Sequence, residues 1–227
     1  MITTVAFDLD DTLYDEVDYC KSGFAAVAGF LAKRPDAPDA DSVFEALWKQ
    51  FTADNRNRTF NAALADLGIE YEDRLIEELV GVYRTHQPKL TLPDDSREVL
   101  ELLSRRYTLS LLTDGFLPAQ KLKVAALGIE RYFKCIIYTE QLGRDCWKPS
   151  PAGFQKLMGE LGIGPAELIY VADNATKDFI APNKLGCETV QVVRAAGLHK
   201  DPPADEAAAA KHVLQKLADL PVLLERL

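Results

Sequence analysis

The sequence has no apolar run approaching the roughly 20 residues that cross a bilayer, so no membrane-spanning helix is expected. Cysteine is scarce. Cys20, Cys135, Cys146 and Cys187 stand far apart, without a CxxC pair or a zinc-ligand spacing. Reduced thiols in a cytoplasmic protein are therefore expected rather than a disulfide or zinc scaffold. No basic stretch leads into an apolar segment near Met1, and no small-residue cleavage site follows, so no secretory signal is predicted. Positive charge is also short, with 26 Lys and Arg against 35 Asp and Glu and a net charge of -9. That balance excludes broad contact with nucleic acid or an anionic membrane surface. It still permits a small anionic substrate, held by local cations and a metal. The chain has 227 residues, enough to bury a core as one domain or two.

What is present is concentrated first in Thr3-Thr4-Val5-Ala6-Phe7-Asp8-Leu9-Asp10-Asp11-Thr12. The apolar, β-branched start predicts a buried strand. It runs into three acids within four positions. Close carboxylates at the end of a buried strand repel one another and are costly to desolvate unless a cation balances them. A divalent metal ion is the natural balance. The plain alternative for this stretch alone is a strand followed by an acidic turn.

After Tyr14 the apolar spacing becomes helical and stays so to about Lys89, through Phe24 to Leu31, Val43 to Phe51, Leu64 with Leu67, and Leu75 to Tyr83. This predicts a four-helix insert. From Leu92 the texture alternates. Helices are predicted at 94–106, 118–127, 151–161, 176–185 and 205–217, with a possible turn past Pro221. Strands are predicted at 107–112, 135–138, 168–172 and 188–193. Ser150 before Pro151 is a helix-start signal. Leu-Gly-Ile recurs at 67–69, 127–129 and 161–163, each time as a helix C-cap. The fold expected is α/β, a Rossmann-like three-layer core with a parallel sheet, built from residues 1–14 and 92–227. Residues 15–91 form an inserted helical cap domain.

Ligands bind beyond the carboxyl ends of strands in such sheets. Asp8, Thr113 with Asp114, and Asp173 each follow a predicted strand, and Lys148 lies in a strand-to-helix loop. Asp8, Asp10 and Asp173 make an oxygen-rich site suited to Mg²⁺, with Asp178 a direct or water-mediated ligand. Thr113, the amides of Asp114 and Gly115, and Lys148 can neutralise a phosphoryl group. One carboxylate would attack and a second would serve as acid and base, roles that fit Asp8 and Asp10. The two cannot share a face, so the strand is predicted to end at Asp8 and the chain to turn.

These residues resemble the motifs of the haloacid dehalogenase superfamily of phosphotransferases. Asp8-Leu9-Asp10-Asp11-Thr12 resembles its first motif and Thr113-Asp114-Gly115 its second. Lys148-Pro149 resembles the third, and Asp173 with Asp178 the fourth. The resemblance implies Asp8 as nucleophile, Asp10 as acid/base, and Thr113 and Lys148 as phosphate binders. It places Mg²⁺ on the carboxylates of Asp8 and Asp173 and the carbonyl of Asp10. It also implies a helical cap, hinged near residues 14–18 and 87–91. Ala172 stands where many members have glycine, and Trp147 where a small or charged residue is usual. Trp147 is expected to pack against a helix rather than cover the site.

Other residues are less determined. Thr12 is expected to cap the first turn. Asp114 is either an amide donor beside the phosphate or only a helix N-cap. Asn174 either orients Asp178 or Lys148 or caps its own helix. Arg56 and Arg58 could grip a second anionic group of the substrate, or form an exposed helix-end cluster. His86 is expected to be an exposed linker residue, and Arg194 or His199 could rim the pocket. The leading expectation is a Mg²⁺-dependent phosphatase acting on a small phosphorylated metabolite such as a sugar phosphate or nucleotide, as a monomer or homodimer. The alternatives are a haloacid dehalogenase, against which Asp10 argues, a phosphomutase, and a non-enzymatic binding module.

Overall fold

Thr4–Phe7 is buried at every residue, as befits a strand covered on both faces. It is the centre of the sheet in the computed structural model, which describes residues 1–35 and 37–227. The strands are β1 (Thr4–Phe7), β2 (Thr108–Thr113), β3 (Cys135–Tyr138), β4 (Leu168–Ala172), β5 (Glu188–Val192) and β6 (His212–Leu214). The helices are α1 (Glu16–Leu31), α2 (Ala40–Thr52), α3 (Thr59–Asp66), α4 (Asp73–Thr85), α5 (Asp94–Leu103), α6 (Ala119–Leu127), α7 (Ala152–Leu161), α8 (Ile180–Leu185) and α9 (Leu220–Leu224). The sheet is ordered β3-β2-β1-β4-β5-β6, and every strand pair is parallel.

Register sets the site. Phe7 lies opposite both Leu111 and Val171. Asp8 is one residue past that level, and Thr113 and Asp173 are two past it. All three therefore emerge at the carboxyl edge of the sheet.

The chain divides into two compact units, 1–17 with 91–227, and 18–90. The first holds the sheet and its flanking helices. The second is helical, and its core is the apolar stripe of each helix, including Phe24, Leu31, Val43, Leu47, Leu64 and Leu79. Phe24 packs its ring 5.4 Å from Phe51 and 5.6 Å from Tyr83. His86 is half-buried, contrary to the expectation of an exposed linker residue. Its Nδ1 lies 2.7 Å from the Tyr83 carbonyl and its Nε2 3.1 Å from Ser22 Oγ, which ties the end of α4 to α1.

The Leu-Gly-Ile triplets act as C-caps. Gly68, Gly128 and Gly162 have φ of 65°, 65° and 68°. Ile69, Ile129 and Ile163 donate their amides back to Leu64, Val124 and Met158. This is the Schellman arrangement, and the left-handed residue costs glycine nothing.

Two predicted helices are corrected. Residues 205–217 contain the short strand β6 between single turns, not a helix. The alanine run favours helix, but the outer edge of β5 offers unpaired backbone groups that a sixth strand satisfies. The Asn183 side-chain amide also donates to the carbonyls of Ala207 and Ala209, at 2.9 and 2.7 Å, and holds the run out of helix. The helix predicted from Thr176 begins only at Ile180. Asn174 Oδ1 accepts from both the amide and the hydroxyl of Thr176, at 3.0 and 2.7 Å. This favours a turn over helix. Smaller shifts occur at α5, which stops at Leu103, and at α7, which begins at Ala152 with Pro151 as N-cap.

Candidate active site

The first motif turns as its chemistry requires. The Asp8 amide still donates to the Val171 carbonyl at 2.8 Å, completing the ladder. The chain then bends, with Leu13 N bonded to Leu9 O at 3.0 Å and Asp11 at φ 51°. Asp11 is fully buried, and its carboxylate accepts from the amides of Glu16 and Leu198, at 2.8 and 2.7 Å. It is a brace for the turn, a use of an acid that sequence reading did not identify. Because of the bend, the carboxylates of Asp8 and Asp10 enter different surroundings.

Asp8, Asp173 and Asp178 converge. One oxygen of each lies within 4.8 Å of the others, and all three residues are buried. Lys148 lies among them with its side chain 1% exposed. Its Nζ is 3.0 Å from Asp8 Oδ2, 2.9 Å from Asp178 Oδ1 and 2.8 Å from Tyr170 Oη. Burial works against the ammonium, but Asp178 and Asp8 outweigh it and hold the Lys148 pKa well above the ordinary lysine value.

Lys148, with Lys177 3.7 Å from Asp178 Oδ1, leaves the three acids short of positive charge. Burial, with Asp178 and Asp8 beside it, pushes Asp173 up to about 9. Burial also pushes Asp8 up to about 6 against the pull of Lys148. Asp178 stays below the ordinary value because Lys148 and Lys177 overcome its burial. Asp173 Oδ1 accepts from Thr12 Oγ1 at 3.4 Å, whereas Asp173 Oδ2 is buried with no hydrogen-bond partner among the described residues. Hard oxygen ligands from three acids, one of them an unpartnered oxygen, fit a divalent cation such as Mg²⁺.

The Asp10 carboxylate is not part of the acid trio; the ligand expected from this residue is its main-chain carbonyl. Its side chain points away from the acid trio, into contact with Lys123, Gln120 and the Tyr14 hydroxyl. Those donors hold its pKa below the ordinary aspartate value despite burial. Thr113 Oγ1 is buried at the end of β2, 2.7 Å from Gln120 Nε2. Asp114 caps no helix, since α6 starts only at Ala119. Its carboxylate accepts from Thr139 Oγ1 at 2.7 Å and from the Lys148 amide at 3.2 Å, and it pairs with Lys177 at 3.1 Å. It locks the loop that presents Lys148.

Asn174 holds Asp178 through its main-chain amide, which donates to Asp178 Oδ2 at 3.0 Å, while its side chain caps the local turn at Thr176 rather than its own helix, which starts only at Ile180. Arg56 and Arg58 are in the helical unit, both exposed, with Arg56 paired to Asp54 at 3.3 Å. Arg194 is taken up by Asp15 at 2.6 Å and the Thr12 carbonyl at 3.2 Å. His199 lies 4.0 Å from Glu16. Trp147 packs edge-on against Phe116 and donates to Glu140, in the short 3-10 helix Thr139–Leu142, at 3.1 Å. Sequence reading missed Lys123, Gln120, Lys177 and Tyr170. A signal existed for the first two: both are polar residues on the otherwise apolar face of α6 that carries Ala119, Val124 and Leu127.

A haloacid dehalogenase-like hydrolase family profile matches residues 2–186, and the chain belongs to that family. Among individual relatives, the glyceraldehyde 3-phosphate phosphatase of Methanopyrus kandleri is 28% identical over 216 residues, covering 91% of this chain and 90% of the relative. The phosphoserine phosphatase of Thermus thermophilus is 26% identical, covering 86% and 90%. Among solved structures, the 2-haloacid dehalogenase of Pseudomonas syringae pv. tomato superposes with a TM-score of 0.67 at 25% identity, over 100% of this chain and 99% of that one.

Proposed function

We infer that this hydrolase is a Mg²⁺-dependent cytoplasmic phosphatase that releases phosphate from a small phosphorylated metabolite. The observation that carries the reading is the buried trio of Asp8, Asp173 and Asp178 around Lys148, with an unpartnered Asp173 oxygen. The phosphatase relatives, one acting on a triose phosphate and one on phosphoserine, support the substrate class.

In this reading the Asp8 carboxylate attacks phosphorus and forms an aspartyl-phosphate. Asp10 has to enter this step protonated, against the pull of Lys123: it gives that proton to the departing oxygen, then takes one from the water that hydrolyses the acyl phosphate and restores Asp8. Thr113 Oγ1 and the Lys148 ammonium hold the phosphoryl oxygens. Asp8, Asp173 and the Asp10 main-chain oxygen would hold Mg²⁺, with Asp178 directly or through water, and the ion would compensate the charge of the acids and the phosphoryl group. The Asp10 carboxylate would thus be left off the metal, among Lys123, Gln120 and Tyr14. The helical unit is the substrate-selecting cap, with Arg56 and Arg58 its candidate anion contacts.

The test is phosphate release from a panel of small phosphoesters. Release that requires Mg²⁺ is expected, and no release from any member overturns the reading. A second reading, dehalogenation, is favoured by the likeness to the Pseudomonas dehalogenase. Asp10 argues against it, and halide release surviving EDTA would establish it. Product analysis separates hydrolysis from phosphomutase transfer.

A further inference from the structure

Lys123 occupies a costly place. It lies on the inward face of α6, and its side chain is 5% exposed. An ammonium is stable there only when paired and hydrogen-bonded. The pairing is two-pronged, with Nζ 2.8 Å from Asp10 Oδ1 and 2.9 Å from Asp10 Oδ2. Gln120, one helical turn earlier, reaches the same place, because residues three apart share a helix face. Its Nε2 lies 2.9 Å from Asp10 Oδ2 and 2.7 Å from Thr113 Oγ1. The Tyr14 hydroxyl donates to Asp10 Oδ1 from the other side.

We propose that Lys123, assisted by Gln120, is a positioning residue that holds the Asp10 carboxylate in its working rotamer and couples it to the Thr113 hydroxyl. The inference rests on the phosphatase reading above. Helix α6 carries both donors. A shift of that helix would move the acid/base and the phosphate-binding hydroxyl together. Neither Lys123 nor Gln120 needs to touch the substrate.

The expected kinetic sign is specific. A displacement of about 1 Å in a reacting group costs roughly a hundredfold. Lys123→Met should therefore lower kcat about a hundredfold and leave KM within about threefold, since Thr113 and Lys148 still bind phosphate. Lys123→Arg should recover at least roughly tenfold of that loss, because a guanidinium fork can meet both carboxylate oxygens. A general packing defect would not be rescued by the larger side chain.

The experiment is steady-state hydrolysis of p-nitrophenyl phosphate with Mg²⁺ for wild type, Lys123→Met, Lys123→Arg and Gln120→Leu, with a thermal melt of each. The expected result is a kcat defect ordered Met worst, then Leu, then Arg, at nearly constant KM. If Lys123→Met does not fold, Lys123→Arg and Gln120→Leu carry the test: both must lose kcat while keeping KM. Wild-type kcat in folded Lys123→Met or Gln120→Leu overturns the inference, as does a defect confined to KM. A wild type that releases no phosphate from p-nitrophenyl phosphate or from any member of the small-phosphoester panel overturns the phosphatase reading, and the positioning role falls with it.

Discussion

Removing metal should make the stability of this protein fall steeply with pH, through Asp173. In the metal-free fold this acid titrates at about 9, against an ordinary 3.8. Between those values the folded chain binds a proton that the unfolded chain has released. Its contribution is therefore complete at low pH and is lost as pH rises towards 9. The slope is roughly 1.4 kcal/mol per pH unit for one proton, so going from pH 6 to pH 8 should cost about 3 kcal/mol. Asp8, at about 6, loses its share mostly below that window. Glu16, raised to about 7 by burial and Asp10, adds a smaller loss of the same sign. For a chain of this size about 3 kcal/mol is roughly 6–12 °C in Tm. The assay is thermal melting at pH 6 and pH 8 in EDTA and again in saturating Mg²⁺. A divalent ion takes the place of the proton, so the fall should shrink or vanish with Mg²⁺. Asp173→Asn, with nothing to titrate there, should lose most of the slope in EDTA. A wild-type Tm in EDTA that is equal or higher at pH 8 refutes the reasoning.

Lys148→Met leaves Asp8 and Asp178 without the ammonium that lies 3.0 and 2.9 Å away. Removing one partner of a buried pair costs about 3–5 kcal/mol, to be read from the denaturant midpoint with EDTA present. Tyr170→Phe loses the 2.8 Å bond from Lys148 and the 3.4 Å bond to the Leu112 carbonyl, and should cost about 1.5–3 kcal/mol by the same measurement. Gly115 has φ 138°, and a Cβ there would lie 2.7 Å from Gln120 Cδ. Gly115→Ala should therefore push Gln120 off Asp10 and Thr113, lowering kcat roughly tenfold and stability by about 1–3 kcal/mol.

The acid trio was legible in the sequence because parallel strands turn position into place. Asp8 and Asp173 each follow a buried apolar run, and the register of β1 with β4 carries both to one edge. The bend after Asp8 was legible from charge alone, since two adjacent carboxylates on one face repel. The pairing of Lys123 with Asp10 was not, because it depends on how α6 lies against the first turn. Periodicity reported that face of α6 but not what it meets. Strand β6 was hidden by alanine propensity, which is a local signal. The sheet edge and the Asn183 amide that override it lie elsewhere in the chain. Asp114 sits inside the second motif, yet its carboxylate serves Thr139, Lys148 and Lys177. Motif membership marked it as functional without distinguishing a brace from a contact.

The central claim is that Asp8 carries the phosphoryl group during turnover. It is tested most directly by acid-quenching the protein during hydrolysis of p-nitrophenyl phosphate with Mg²⁺, reducing with borohydride, and mapping peptides by mass. Residue 8 alone should be reduced, as expected of an acyl phosphate. Asp8→Asn should show neither the mark nor phosphate release, a loss of at least roughly a thousandfold. Phosphate release with residue 8 unmodified, or undiminished in Asp8→Asn, contradicts the claim.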